Sequence, residues 1–331
     1  MIFDTHVHYD DKAFEEDREQ LLESLRENGI EAVVNIGASI RTTQNTLELM
    51  EKYPFVYGAV GVHPSDTGEL DEREMEWLRE VSAKEKVVAI GEIGLDYYWD
   101  EPDRAIQKRW FIRQLELARE VKLPVVIHSR DAAKDTLDIM KEQKAQEIGG
   151  VIHCFSYGVE MAREYLDMGF YLGIGGVLTF QNAKKLKEVV AYMPMDRIVL
   201  ETDCPYLAPT PNRGKRNSSL NLPYVVEAIS SIKEIPAEEA YADWKMRLAK
   251  EQLEGASQVC GRLDRQMRTM RDTWICSEEF WRNMPWQQEA EYEALERQYE
   301  DAFDQWHRAC MEWLHTALEL QYSSLIATID P

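Results

Sequence analysis

No apolar run in the chain reaches the ~18 residues that would suggest a bilayer-spanning helix. The opening stretch, MIFDTHVHYDD, has neither a basic segment nor the apolar run of a secretory signal. The expectation is a cytoplasmic protein with no membrane partner. Cysteine is scarce: five residues (Cys154, Cys204, Cys260, Cys276 and Cys310), an odd number with no CxxC pair. That spacing excludes a disulfide framework and a zinc-finger reading, and it fits a reducing compartment. Positive charge is short as well. Against 60 Asp and Glu stand 38 Lys and Arg, for a formal charge of −22. A generic basic surface for coating nucleic acid or adhering to anionic lipid is thereby excluded. A polyanionic substrate is not, provided that local cations supply the field. A GxGxxG turn after the first strand-like segment is also missing, which removes the usual dinucleotide fingerprint.

What is present is alternation. Short runs rich in Val and Ile occur at 2–8, 32–37, 55–63, 87–91, 124–128, 151–155, 170–175 and 198–201. They lack the strict polar alternation of a half-solvated strand, as parallel strands covered by helices do. Between and after them lie amphipathic stretches at 13–28, 40–52, 70–83, 103–121, 131–146, 157–168, 181–192 and 221–234. Gly29, Pro54 and Gly169 fall where helices should stop. Eight strand–helix units within residues 1–238 predict an α/β fold, the (β/α)8 TIM-type barrel. A doubly wound open sheet is the second choice.

Residues 239–331 differ in character. Six of the nine tryptophans lie there. One apolar series runs Leu263, Met267, Met270, Trp274. Another runs from Tyr292 to Leu320 in steps of three and four, the period of a heptad seam. Asn283–Met284–Pro285 separates them. The expected structure is an appended C-terminal helical hairpin or coiled-coil arm, suited to self-association or to binding a protein partner.

Five of the seven histidines belong to the barrel part, and each falls at or just past the end of a predicted strand: His6, His8, His63, His128 and His153. Glu92 follows the fourth strand and Asp203 the eighth. In a closed barrel those ends converge on the face where barrel enzymes keep their active sites. Imidazole with carboxylate is the ligand chemistry of Zn²⁺, Mn²⁺ or Fe²⁺. Residues i and i+2 of a strand share a side, so His6 and His8 can both face the mouth. His6, His8, Glu92, His128, His153 and Asp203 are too many ligands for one ion with an open position, whereas two ions bridged by a carboxylate fit. The assignment is His6, His8 and Asp203 to one ion, His128 and His153 to the other, and Glu92 as the bridge. Asp203 is alternatively the base that takes a proton from the attacking water. The same alternation turns Cys154 away from the side of His153, so neither Cys154 nor Cys204 is read as a ligand.

The series FDTHVH, GVHP, GEIGLDYY, PVVIHSR, IHCFS and LETDCPYL, in this order, resembles the TatD family of metal-dependent deoxyribonucleases, over about residues 1–238. The resemblance implies two divalent ions (Mg²⁺, Mn²⁺ or Zn²⁺) on the six positions just named. It also implies cleavage of DNA phosphodiesters, typically 3′→5′ on single strands. Enzymes of the wider amidohydrolase-like group often bridge their metals with a lysine on the fourth strand; here Glu92 stands there. The alternative on the same site is hydrolysis of small amides, esters or aminoacyl-tRNA. Candidate phosphate contacts are Arg213, Lys215 and Arg216 in the loop after the eighth strand, a loop type that recurs in the family, and Arg130 beside His128. His63 either contacts the phosphate, protonates the leaving oxygen or makes a structural hydrogen bond. Tyr97, with Tyr98, either stacks on a base or packs internally. After Ala240 the chain departs from the family's usual closing helix.

Overall fold

The computed structural model describes residues 2–99, 101–236 and residue 297. The chain divides into two compact units, 1–240 and 241–331. The helical arm expected over 239–331 lies outside the described residues, apart from residue 297, which is helical.

Eight parallel strands form one sheet in strict sequential order. They are β1 (Ile2–Val7), β2 (Ile30–Ile36), β3 (Val56–Val60), β4 (Val87–Asp96), β5 (Val125–Arg130), β6 (Gly150–Ile152), β7 (Tyr171–Ile174) and β8 (Ile198–Leu200). A helix follows each: α1 (Arg18–Leu25), α2 (Ile40–Lys52), α3 (Glu72–Ser82), α4 (Arg104–Val121), α5 (Ala133–Glu142), α6 (Val159–Asp167), α7 (Lys184–Tyr192) and α8 (Leu222–Lys233). Sequential order with a crossover helix at each step curls a twisted sheet into a cylinder. The first strand meets the last mainly at the C-terminal rim. Val7 bridges to Cys204. The Asp203 N–H donates to the His6 carbonyl at 3.0 Å and the His8 N–H to the Cys204 carbonyl at 2.9 Å. The seam of the TIM-type barrel is thus stitched through the residues read as ligands.

Local sequence explains the helices. Ser39 and Thr42 form a capping box at the start of α2, and Asp71 and Glu74 form one at the start of α3, satisfying amide groups that the first turn leaves unpaired. Met75, Leu78 and Val81 recur on one face of α3 and are buried. Gly29 ends the first βα unit with φ +82°, a left-handed turn that costs glycine little. Val34, Ile36, Ala59, Ala89 and Val126 form a core cluster, with Phe3, Tyr57 and Val88 against it. Five consecutive strands therefore share one packed centre.

Two departures from even pairing fall at the future site. The β1–β2 register shifts between Asp4 and Val7, and the β4–β5 register between Ile90 and Ile93. Irregularities of this kind re-aim a side chain, and they bracket His6 and Glu92. The sequence places Glu92 after a strand ending at residue 91. The strand in fact runs on to Asp96, and Glu92 sits at its irregular point, with its N–H bonded to the Gly37 carbonyl at 3.0 Å. The close fit around Glu92 depends on Gly61, where an added Cβ would lie 2.9 Å from the Gly91 carbonyl carbon. Backbone cannot yield as a flexible side chain does. Gly61→Ala is therefore expected to cost about 1–3 kcal/mol of stability and to weaken metal affinity roughly tenfold by displacing Glu92. Thermal melts with and without added metal measure both effects; an unchanged metal-induced shift would show that Glu92 tolerates the displacement.

Candidate metal centre

Six side chains from distant parts of the chain meet at the C-terminal mouth. Glu92 is 4% exposed, and its two oxygens meet different imidazoles. Oε2 lies 3.5 Å from His6 Nε2. Oε1 lies 2.7 Å from His128 Nδ1 and 3.7 Å from His153 Nε2. On the first side, His6 Nε2 and His8 Nε2 are 3.2 Å apart, and Asp203 Oδ1 is 3.8 and 3.4 Å from them. Asp203 Oδ1 is also 3.8 Å from His153 Nε2. The left-handed backbone of Asp203, φ +55°, sets the direction of its carboxylate.

This donor set fits divalent metal. Donor atoms ~2.1 Å from one tetrahedral ion lie about 3.4 Å from each other, close to the spacings around His6. His6 Nδ1 is buried and has no hydrogen-bond partner. Two imidazole nitrogens facing each other across 3.2 Å share one proton at most, so a cation satisfies them better than they satisfy each other. Groups of three or more donors within reach of a common ion are, among the described residues, His6–His8–Asp203, His6–His153–Glu201, His63–Glu92–His128 and His153–Cys154–Asp203. The His153 ring stacks on that of His6 at 3.4 Å between centroids and lies 6.3 Å from that of His128. The structure thus groups His153 with His6 and not with His128, which corrects the pairing assigned from the sequence.

The far sides of three of the rings, all but that of His6, are held as metal-ligating histidines usually are. His8 Nδ1 is 3.2 Å from the Ile36 carbonyl, which fixes the proton there and leaves Nε2 free to ligate. His153 Nδ1 is 3.2 Å from Glu201 Oε2, and Glu201 Oε1 accepts the Cys154 N–H at 2.7 Å. His128 Nε2 is 3.1 Å from Asp96 Oδ2, leaving Nδ1 toward Glu92. Beneath them, buried Asp4 accepts hydrogen bonds from the Thr202 and Ser219 hydroxyls, both at 2.7 Å, and from the Thr202 N–H at 3.0 Å. Burial nevertheless raises the Asp4 carboxyl to a pKa of about 7.

Electrostatics tie the cluster together. Burial disfavours the charged form of every group; at His8, His128, His153, Glu92 and Asp203 neighbouring opposite charges overcome it, whereas at His6 burial and the His153 charge lower the pKa. Burial lowers the pKa of His8, but Asp203 and Glu92 raise it to about 9. His153 is likewise lowered by burial and raised by Glu201 and Glu92, to about 10. Burial raises Glu92, yet His153 and His128 hold it well below the carboxylate range. In the metal-free protein His8 and His153 are therefore protonated at neutral pH and must give up those protons to ligate. Metal affinity is expected to rise with pH from 6 toward about 9 and 10, the range where those two rings lose their protons. Calorimetry in two buffers of different ionisation enthalpy should register net proton release at pH 7; proton-neutral binding would mean that these rings do not ligate.

His63 is placed at the site but held differently. Its Nδ1 accepts the Ser65 N–H at 3.1 Å, so Nε2 carries the hydrogen. Its ring meets that of His128 edge-on, centroids 4.3 Å apart. Burial and the His128 charge lower its pKa to about 3. In the metal-free protein the ring is thus held as a neutral hydrogen-bond donor.

The substrate contacts read from the sequence fare unevenly. A pocket of about 430 Å³ opens over the centre, and its lining includes Lys12, Arg41, Thr42, Asn45, His63 and Tyr206. Arg130, Arg213, Lys215, Arg216 and Tyr97 are not in that lining. Arg216 forms a two-pronged ion pair with Asp17 at 2.6 and 2.5 Å and donates to the Ala13 carbonyl. It ties the loop after β8 to the start of α1. The Arg213 guanidinium lies over Phe180, 4.3 Å from the ring centroid, and Lys215 is exposed. The Tyr97 hydroxyl bonds to Asp135 at 2.7 Å, and Arg104 covers its ring. Tyr97 is half-buried, while its neighbours Tyr98 and Trp99 are exposed. Cys154 also departs from expectation. β6 ends at Ile152, so strand alternation no longer governs position 154, and φ +45° brings the thiol within 4.8 Å of the His153 and Asp203 donor atoms.

The cations Lys12 and Arg41 and the carboxylates Asp4, Asp96 and Glu201 were not singled out by sequence. The carboxylates had a signal: each lies an even number of residues from a ligand on its own strand or just past it, Asp4 before His6, Asp96 after Glu92, Glu201 before Asp203. Lys12 and Arg41 lie just after β1 and at the start of α2, where nothing in composition distinguishes them. Among the described residues no helix is long and apolar enough to cross a membrane.

Comparison with known proteins agrees with this geometry. The family model of TatD related DNases matches residues 3–245. A Bacillus subtilis protein named uncharacterized metal-dependent hydrolase YabD is 47% identical over 239 residues, which are 72% of this chain and 94% of its own. The similarly named YcfH of Escherichia coli is 36% identical over 242 residues, 72% of this chain and 91% of its own. The crystal structure of YjjV, a TatD homologue from Escherichia coli, superposes with a TM-score of 0.68 at 30% identity, covering 72% of this chain and 93% of that one.

Proposed function

The chain belongs to the TatD-related DNase family of metal-dependent hydrolases, and we propose that it cleaves DNA phosphodiester bonds as a 3′→5′ exonuclease on single strands. Two divalent ions would be held by His6, His8, His128, His153 and Asp203, with Glu92 between them. When bound, such ions neutralise charge on the phosphate and acidify water. The rest falls to the chain's own groups. Asp203, whose side chain is more exposed at 18% than that of Glu92 at 5%, would alternatively take a proton from the attacking water. His63 Nε2–H is free to donate to a phosphate oxygen. Lys12 and Arg41 line the mouth and offset some of the −22 formal charge for an anionic substrate.

The observation that carries the reading is the buried Glu92 carboxylate, whose Oε2 lies 3.5 Å from His6 Nε2 and whose Oε1 lies 2.7 Å from His128 Nδ1. One feature favours the second reading, hydrolysis of small amides, esters or aminoacyl bonds: Asp10 and Asp11 share the pocket lining with the two cations. End-labelled single-stranded DNA with Mg²⁺ or Mn²⁺, with and without EDTA, separates them. Shortening of the strand from its 3′ end that EDTA stops supports the nuclease. Turnover of p-nitrophenyl esters or aminoacyl-tRNA with intact DNA supports the second reading.

A further inference from the structure

The rim beyond β4 carries an aromatic pair that the metal centre does not use. Trp99 is 65% and Tyr98 55% exposed. Their rings stand perpendicular, centroids 4.9 Å apart. The Arg130 guanidinium lies 3.8 Å from the centroid of Tyr98. Among the described residues no ion pair engages Arg130, so stacking orders its face and leaves its N–H edge available to an anion.

This ledge is built into the site. Asp96 Oδ1 accepts the Tyr98 N–H at 2.9 Å, while Asp96 Oδ2 faces His128 Nε2 at 3.1 Å. The Tyr97 N–H donates to the Arg130 carbonyl at 2.9 Å. Arg130 is two residues beyond His128 on β5, about 7 Å of strand. One carboxylate therefore fixes both a metal-facing histidine and the backbone that presents the rings.

We infer that Tyr98, Trp99 and Arg130 form a stacking ledge for an unpaired nucleobase beside the scissile phosphate. The inference rests on the single-strand phosphodiester reading above and assigns the side chains that would engage the unpaired base. A base inside a duplex has both faces covered by its neighbours and cannot lie on Trp99; a free end can. Stacking on an indole accepts any base, so the ledge confers strand state and not sequence. The Arg130 edge would take a flanking phosphate.

The test uses the full-length, metal-loaded protein and two fluorescein-labelled phosphorothioate strands of equal length, one oligothymidylate and one without bases. Binding is followed by anisotropy for wild type, Trp99→Ala, Trp99→Phe and Tyr98→Ala. Trp99→Ala should bind oligothymidylate roughly tenfold more weakly or worse, with little change for the baseless strand, and Trp99→Phe should recover most of the loss. Equal weakening for both strands, or none for either, overturns the ledge; no change would leave the exposed rings to a protein partner. DNA hydrolysis by wild type is measured in parallel. Base-dependent binding through Trp99 without hydrolysis would defeat the nuclease reading alone. Hydrolysis with a KM unaltered by Trp99→Ala would defeat the ledge alone.

Discussion

Glu92→Gln is expected to lower turnover of single-stranded DNA by roughly a thousandfold and to reduce bound metal, with the rest of the barrel intact. The amide keeps the shape of the side chain but removes its charge and half of its acceptor capacity. Glu92 meets His6 Nε2 at 3.5 Å and His128 Nδ1 at 2.7 Å. Its loss touches both proposed ion positions, and several kcal/mol of transition-state stabilisation is the usual worth of a positioned metal. Fold retention is expected because Gln can still bond to His128 in place of the carboxylate. Metal analysis and kinetics on the same sample check the result. A variant with full metal content and near-normal turnover would show that Glu92 bridges nothing.

Asp203→Asn is expected to cost a hundredfold to ten-thousandfold in turnover, the usual range for removing a positioned acid or base, while the protein still binds metal on the His128 side. Asp203 Oδ1 lies 3.4 Å from His8 Nε2 and 3.8 Å from both His6 and His153. Burial raises its pKa, but hydrogen bonding to His8 and the charges of His153 and His6 outweigh this and lower it. The carboxylate is therefore ionised at neutral pH and able to accept a proton. If it is the base, turnover is lost while the variant retains part of its metal. If it is only a ligand, metal content and turnover fall together, and added metal restores both. A variant that keeps its turnover would remove Asp203 from the chemistry.

The barrel was legible because its signals are local and repeated. Buried parallel strands show as short Val/Ile runs such as 198–201, and the helices between them carry their own stops, as at Gly29. The metal donors were legible for a geometric reason: a parallel barrel brings every strand's C-terminal end to one face, so linear position translates into proximity. What escaped depends on backbone irregularity or on long side chains. The extension of β4 past Glu92 was hidden because glycines at 91 and 94 resemble a strand end, whereas Gly91 permits close packing against Val126, whose Cβ would lie 2.6 Å from an added Cβ. Arg216 reads as a free cation in RGKR, and only the fold brings Asp17 beside it. Tyr97 and Trp99 are two residues apart, but one is tied to Asp135 and the other projects from the rim; no pattern in GLDYYW distinguishes them. Carboxylates behind the histidines were within reach of the same two-residue period that paired His6 with His8.

The most direct measurement is anomalous diffraction from crystals loaded with Mn²⁺ or Zn²⁺. The account predicts two peaks ~3.5–4 Å apart, one between His6, His8 and Asp203 and the other at His128, with a Glu92 oxygen on each. A single peak that leaves Glu92 bound through one oxygen, or peaks away from these side chains, would contradict it.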